Sequence, residues 1–247
     1  IYAVGEFNVT SFEYFATEDP LHEQSTEDYL CYIALVSKRN IHILGVGNRD
    51  TKIICNMPNS GFPTSVANLH PLLIKQTRNC SLHNMYIYGK NVRYTIHVNG
   101  ITESVSERLW FDNIEFDSDK NEGEAYTSWP YGSQNIGIDI APNMELYFTN
   151  CINPLLRGHF SSQGWGRHYI SFVGCHFYGD ATNVVPSQNI PSKHCYVEYN
   201  FVGNKFYGVA SFINGNINSD GVSMKISGYG NSCLLYTSPS PRDTERS

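Results

Sequence analysis

The chain has 247 residues, of which 41% are hydrophobic and 16% are charged, and its net charge is −6. The apolar content disfavours intrinsic disorder, and the shortage of strong helix formers beside Asn, Gly, Tyr, Phe and Ile disfavours a helical bundle. The negative charge disfavours nucleic acid as a partner, and no apolar run reaches the roughly 18 residues that a membrane span needs.

The two ends of the chain differ from the part between them. Residues 1–39 match no specific pattern and are interpreted as an N-terminal lead-in or cap. Residues 233–247 open with CLLYTSPSPRD, which resembles a translated sequencing adapter, so this tail is interpreted as an artefact on a metagenomic fragment. Because residue 1 is Ile, we expect the natural start, with any secretion signal, to be missing or processed.

A glycine or asparagine recurs between residues 40 and 232 at intervals of 24 to 39 residues. Both residue types tolerate a left-handed backbone, which turns a strand sharply. The positions two and four before each one are apolar or aromatic, and afterwards the apolar positions tend to shift to one and three. The corner residues are Gly45, Asn84, Asn113, Asn150, Gly174, Gly203 and Gly228.

This change of parity predicts a strand, a corner and a second strand in each repeat, because side chains alternate with period two along a strand. A third strand would close each coil, with candidates at residues 53–55, 95–98, 138–140, 184–185 and 211–213. The pattern predicts an all-β parallel β-helix, a solenoid of about seven coils over residues 40–232. The alternative is a β-sandwich, which explains the strands but not the shared corner register.

Stacked coils would place equivalent side chains about 4.8 Å apart. Four phenylalanines two positions before a corner should then form an internal stack: Phe111, Phe148, Phe172 and Phe201. The six cysteines before the tail have neither a CxxC pair nor zinc-finger spacing. We expect them to be buried free thiols, with Cys151 and Cys175 stacked.

Residues 40–54, NIHILGVGNRDTKII, resemble the coil openings of the pectin-lyase-like superfamily, closest to phage tail spikes and pectate-lyase-like proteins. The resemblance implies a right-handed single-stranded parallel β-helix. It also implies an extracellular or virion protein that binds or cleaves acidic polysaccharides, with a homotrimer expected for a spike. The signature motifs of pectinesterases are not found in this chain, so no esterase role carries over.

Four polar residues are candidate catalytic groups if the third strands stack in register: His97, Asp139, Arg157 and His159. In the predicted strands His97 and Asp139 each lie between two inward apolar residues, so both should face outward. A carboxylate between two imidazoles could shift the pKa of one of them so that it acts as an acid or base. Arg157 could bind a sugar carboxylate. The alternative is a solvated polar face.

Exposed aromatic side chains are candidate sugar contacts, since an amphipathic ring can stack on the apolar face of a sugar. Outward aromatics are expected at Trp110 and Tyr147, and at Tyr88, Tyr178 and Tyr207. An insertion at residues 119–134 also has the length of a binding loop. The predicted substrate-binding residues are Trp110, Tyr126, Trp129, Tyr131 and Trp165. The alternative is that tyrosine ladders only stabilise the β surface.

The remaining polar residues indicate no metal site and no cofactor. His42, His83 and His176 are isolated within predicted strands, and Glu115 with Asp117 is one acidic pair among many carboxylates. The leading hypothesis is a protein that binds a polysaccharide or a cell-surface glycan, as a phage tail component or adhesin. The alternative is a polysaccharide lyase, esterase or glycoside hydrolase that uses the four polar residues.

Overall fold

The computed structural model describes fifteen segments of the chain: residues 1–9, 13–15, 29–36, 38–56, 69–75, 77–92, 94–99, 107–119, 136–139, 144–159, 166–178, 183–190, 195–208, 211–217 and 223–234. These segments are all-β, and no residue within them is helical. A search of the same segments for a helix long and apolar enough to cross a membrane found none.

The strands form three sheets. The large sheet contains β1 (Tyr2–Ala3), β2 (Gly5–Val9), β5 (His42–Gly45), β6 (Thr51–Asn56), β8 (Cys80–Lys90), β10 (Glu107–Ser118), β12 (Met144–Thr149), β14 (Gly166–Val173), β17 (Cys195–Val202) and β20 (Ser223–Tyr229). The second sheet contains β3 (Glu13–Phe15), β4 (Tyr29–Val36), β7 (Leu69–Lys75), β9 (Ile96–Asn99), β11 (Ile136–Asp139), β13 (Leu156–His159), β16 (Asn183–Ile190) and β19 (Ser211–Ile217). The small sheet contains β15 (His176–Tyr178), β18 (Lys205–Tyr207) and β21 (Ser232–Leu234).

The strands pair in parallel throughout the three sheets, except that β3 and β4 are antiparallel. The large sheet has the order β1-β5-β8-β10-β12-β14-β17-β20, and β9, β11 and β13 of the second sheet come between its members in the chain. The chain therefore leaves the large sheet, adds a strand to another sheet and returns beside its previous strand. Residues before 40 and after 232 also contribute strands, since β1 pairs with β5 and β21 with β18.

Corner residues lie level with one another in the large sheet. Asn84, Asn113 and Asn150 have φ between 52° and 55°, and Gly174 and Gly203 have φ of 65° and 63°. A left-handed residue at these positions was predicted, and the backbone confirms it. The asparagines also form a ladder, since the side-chain amide of Asn113 donates to Asn84 Oδ1 at 3.0 Å.

Two of the predicted corners differ. The last corner is Gly230 and not Gly228. Gly230 has φ of 66°, and the pairing of Val202 with Tyr229 places it beside the corner residue Gly203. Gly45 lies level with Asn84 but does not have a positive φ. Glycine is needed there for another reason, since a Cβ atom would overlap the backbone oxygen of Asn84.

The phenylalanine stack is confirmed. Phe111 pairs with Phe148, Phe148 with Phe172, and Phe172 with Phe201. The ring centroids are 4.9, 5.1 and 5.1 Å apart, and neighbouring planes are tilted by no more than 15°. All four rings are buried, so one continuous aromatic row runs through the core beneath the large sheet.

Beyond the corner the buried positions shift by one, as the change of parity predicts. Ile114, Cys151, Cys175 and Asn204 follow their corners directly and are buried. Cys151 and Cys175 are free thiols, which confirms that prediction. Each donates to a backbone carbonyl of the preceding repeat, Cys151 to Phe111 at 3.3 Å and Cys175 to Phe148 at 3.5 Å.

Four of the five predicted third strands overlap β9, β11, β16 and β19 of the second sheet. The prediction for residues 53–55 was wrong, because β6 pairs with the second half of β8 in the large sheet, with Ile53 opposite Ile87. The large sheet therefore contains residues from both sides of the corner.

Candidate functional site

The candidate site lies on the outer face of the large sheet, which we define as the side chains that alternate with its buried rows. In β12, for example, Met144, Leu146 and Phe148 are buried, while Glu145 and Tyr147 between them are half-buried. Because parallel strands in register place equivalent residues side by side, each outward position forms a row across several strands. The outer face is a set of such rows.

An aromatic platform, defined as Trp110, Tyr147 and Tyr169, occupies the middle of the outer face. Trp110 pairs with Tyr147, and their rings stack with centroids 5.7 Å apart and planes 13° apart. Tyr169 on β14 lies 5.7 Å from Tyr147 in a tilted arrangement. All three side chains are partly exposed, so a ligand can reach them. Among the predicted substrate-binding residues, Trp110 is the one within the described segments.

Charged groups lie beside the platform. Arg108 Nε donates to Glu145 Oε2 at 2.8 Å, and the hydroxyl of Tyr147 donates to the same oxygen at 2.8 Å. Burial and the hydrogen bond to Glu145 raise the pKa of Tyr147 to about 12. Tyr147 therefore remains a protonated donor at neutral pH, and the carboxylate holds both an arginine and an aromatic ring in place.

A second charged group surrounds Glu198 on β17. Lys225 Nζ donates to Glu198 Oε1 at 2.7 Å, and Arg167 lies 3.6 Å from the other carboxylate oxygen. The hydrogen bond from Lys225 is the main cause that lowers the pKa of the Glu198 carboxyl. The guanidinium of Arg167 also lies 5.3 Å from the ring centre of Tyr196, within cation–π distance.

Ser81 is the centre of a hydrogen-bonded chain at the other side of the platform. Its Oγ lies 2.7 Å from His83 Nε2 and 2.7 Å from His42 Nδ1. The opposite ring nitrogen of His83 lies 3.4 Å from Asp112 Oδ2. Ser81 pairs with Trp110 in the sheet, so the chain adjoins the aromatic platform.

Sequence reasoning missed this group, because it treated His42 and His83 as isolated residues. The group could have been found by aligning the strands at their corner residues. Counting back from each corner places His42 level with Ser81 and Asp112 level with His83, and the observed pairing agrees.

The four predicted catalytic positions occupy two adjacent rows of the second sheet. His97 and Arg157 both pair with Gly137. Asp139 pairs with His159 two positions further along the strands. The side chains of Asp139, Arg157 and His159 lie outside the described residues. His97 was predicted to face solvent, but its side chain is only 2% exposed and its ring lies 5.6 Å from that of Tyr94. The burial of His97 overturns the prediction that this side chain faces solvent.

Four predicted sugar-contact residues, Tyr126, Trp129, Tyr131 and Trp165, lie outside the described residues, so their part in binding stays a prediction. The predicted outward tyrosines after the corner are in register. Tyr178 and Tyr207 stack with centroids 4.8 Å apart, while Asp117 pairs with Tyr88. This second aromatic surface lies on the other side of the corner from the platform.

The acidic residues after the corner are engaged in local contacts. Asn48 donates to Glu115 at 3.2 Å, and the hydroxyl of Tyr86 donates to Asp117 at 2.8 Å. Within the described segments no group of three or more His, Cys, Asp and Glu residues is arranged to hold a metal ion.

A cavity of about 590 Å³ lies at the end of the sheets near β1. Side chains of β1, β2 and β4 to β8 line it, and they are mostly apolar. Such a lining offers few groups that would orient a polar ligand. The outer face, with its aromatic, charged and hydrogen-bonding groups, is therefore the stronger candidate site.

A scan against protein-family models, a search of curated proteins and a search of solved structures each found no match for this chain.

Proposed function

We propose that the outer face of the large sheet binds a polysaccharide or a cell-surface glycan. The observation that carries this proposal is the row formed by Trp110 and Tyr147, whose side chains are partly exposed and hold each other by stacking across neighbouring strands. Aromatic rings can cover the apolar face of a sugar, and rigid rings lose little conformational entropy when they do so. Trp110 is retained as a sugar-contact residue, and Tyr147 and Tyr169 join it.

The charges around the platform favour an acidic glycan. Arg108 and Arg167 are exposed at 56% and 72% of their side-chain surfaces, so their guanidinium groups can bind ligand carboxylates while their present partners hold them. The net charge of −6 would oppose a polyanion at long range, so binding should depend on these local contacts and weaken with salt.

The test is affinity electrophoresis with a panel of acidic and neutral polysaccharides. We expect the wild-type chain to be retarded by at least one acidic polysaccharide and Trp110→Ala to lose most of that retardation. Tyr178→Ala is the matched control, since Tyr178 is also a stacked, exposed aromatic but lies after the corner. No retardation of the wild type, or equal loss in both variants, would contradict the proposal.

We also propose that the three sheets are the faces of one right-handed single-stranded parallel β-helix. Support comes from the strands that continue through a corner: β8 and β10 each extend beyond it, and Ile152 then bridges Glu115 of β10 to His176 of β15. A β-helix of this kind suits an attachment protein of a virion or of an extracellular surface. We expect such an attachment protein to be a homotrimer, with a mass in sedimentation three times the chain mass of 27.9 kDa. A monomeric mass would contradict the homotrimer.

A polysaccharide-active enzyme is the second candidate, and the pairing of Asp139 with His159 favours it. A carboxylate and an imidazole at paired positions of neighbouring strands are residue types that can act as acid and base on a glycosidic bond. Product analysis after incubation with the retained polysaccharide is the test. We expect shorter or unsaturated products only from this candidate, with loss in Asp139→Asn. Retention without products would leave binding as the activity of the chain.

A further inference from the structure

We propose that Ser81 is an activated nucleophile that cleaves carboxylic esters, with His83 as its general base. This activity goes beyond glycan binding and uses none of the four polar residues considered above. The substrate class is a small acyl ester, and an acylated sugar is the natural form of it beside the aromatic platform. Only the choice of an acylated sugar as the substrate depends on the proposed glycan binding.

The hydrogen-bonded chain has the order required for activating a hydroxyl. Asp112 lies next to His83 Nδ1, so that nitrogen carries the proton and donates it to the carboxylate. The other nitrogen, Nε2, is then left with its lone pair, 2.7 Å from the Ser81 hydroxyl. A carboxylate that orients an imidazole, which in turn accepts a serine proton, is a general arrangement for nucleophilic catalysis.

His42 supplies a donor on the other side of the serine. Its Nδ1 lies 2.7 Å from Ser81 Oγ, and since the serine proton points to His83, this nitrogen donates to the oxygen. When the serine attacks a carbonyl, the same N–H is close enough to donate to the developing oxyanion. Donors placed where negative charge develops lower the barrier of acyl transfer.

A purely structural role would not require two imidazoles. Ser171 occupies the same row of the sheet two strands further on from Trp110, and it is satisfied by the side-chain amide of Asn200 at 3.1 Å. Both serines are largely buried, yet only Ser81 has titratable partners. The base remains accessible, since 25% of the His83 side chain and 38% of the Asp112 side chain are exposed.

The reaction balances without a metal, a cofactor or an oxidant. Ser81 Oγ forms a bond to the ester carbonyl carbon and its proton passes to His83 Nε2. The bond from carbon to the alcohol oxygen then breaks, and that oxygen takes the proton from His83 and leaves as an alcohol. Water attacks the acyl carbon in turn, its proton passes to His83 and then to Ser81, and a carboxylic acid is released.

Ser81 also has a defined position relative to the proposed sugar surface. It pairs with Trp110 on the neighbouring strand, one strand spacing of about 4.8 Å away. A sugar ring stacked on Trp110 would therefore hold its acyl substituents within reach of the serine. Esters on such a sugar are the substrates that the geometry favours.

The test uses 4-nitrophenyl acetate as substrate and a fluorophosphonate as active-serine label on the full chain. We expect hydrolysis above the buffer rate, a single label on the peptide that contains Ser81, and a loss of about 100-fold or more in Ser81→Ala. Ser171→Ala is the matched control and should keep both rate and label. Glycan retention is measured on the same variants, so failure of binding and failure of hydrolysis are distinguished.

His83 and Asp112 are tested by the pH dependence of the rate. The wild-type rate should fall in acid, because a protonated imidazole cannot accept the serine proton. His83→Ala should lose this dependence together with the rate. Asp112 is a positioning residue, so Asp112→Asn should slow the reaction and shift the profile, and Asp112→Glu should restore part of the rate. An unlabelled Ser81 in the wild type, or an unchanged rate in Ser81→Ala, would overturn the proposal.

Discussion

Asn204 illustrates how single side chains connect neighbouring strands. Its amide nitrogen donates to the carbonyl of Phe172 at 3.0 Å, and its oxygen accepts from the backbone N–H of Cys175 at 2.8 Å. The side chain is fully buried, so these backbone groups have no access to bulk water. In the two preceding repeats the same position holds Cys151 and Cys175, whose thiols donate to the equivalent carbonyls.

Replacement of Asn204 by leucine should destabilise the chain. The change leaves a buried N–H and a buried carbonyl without this partner, and each costs about 1–3 kcal/mol in the free energy of unfolding. Asn204→Cys should recover part of the loss, since a thiol at this position can donate to Phe172. Urea denaturation measures both. A leucine variant as stable as the wild type would contradict this role.

Charge pairs between strands add a contribution that depends on pH. The hydrogen bond from Lys225 lowers the pKa of the Glu198 carboxyl in the folded chain. A lowered folded-state pKa contributes stability above the usual carboxyl range of about 4.3, and this contribution is lost as the pH falls through the folded value.

Lys225→Met should therefore lower the melting temperature at neutral pH, and the difference from wild type should shrink as the pH falls below about 4. Lys52→Met is the matched control, because its partner Glu6 on the neighbouring strand is more exposed than Glu198 and lies 3.6 Å away, beyond hydrogen-bond distance. Melting curves from pH 7 to acid measure both. If the melting-temperature difference between Lys225→Met and wild type grew as the pH fell, the predicted direction of the effect would be contradicted.

At the scale of whole elements, the phenylalanine row links β10, β12, β14 and β17. Phe148 lies between two rings at about 5 Å and is completely buried. Truncation to alanine should cost about 3–5 kcal/mol, because both the buried area and the neighbouring ring contacts are lost. Tyr178→Ala is the control, since its ring is 47% exposed and its loss should be far less costly. Equal effects in denaturation would contradict the internal row.

The sequence allowed this row to be predicted because strand alternation repeats beneath every corner. The last corner was misplaced by two residues for the same reason. A shift of two preserves alternation, and Gly228 and Gly230 both suit a turn, so local pattern alone does not distinguish them. Pairing of Val202 with Tyr229 selects Gly230.

The site was harder to predict than the fold. The chain around Ser81 joins residues from three strands, separated by 39 positions to His42 and by 29 between His83 and Asp112. Only the exact register brings them together, and no local motif marks them. Trp110 could be predicted because an outward aromatic beside a buried row is visible in one strand. The burial of His97, whose ring lies beside that of Tyr94, is not visible in strand alternation.

For the whole molecule, parallel strands in register convert a repeating sequence into rows of equivalent side chains on the outer face. The aromatic platform, the arginines beside it and the Ser81 chain then occupy fixed positions along neighbouring strands. A surface whose groups are already in place would bind a ligand at a lower entropic cost. A glycan should therefore bind to an arrangement that already exists in the free protein.

The most direct test is a crystal structure of the chain with an oligosaccharide cut from the retained polysaccharide. We expect sugar rings to contact the exposed parts of Trp110 and Tyr147, with a sugar carboxylate near Arg108 and little movement of the strands. An oligosaccharide bound elsewhere, with the aromatic platform bare, would contradict the account of the outer face.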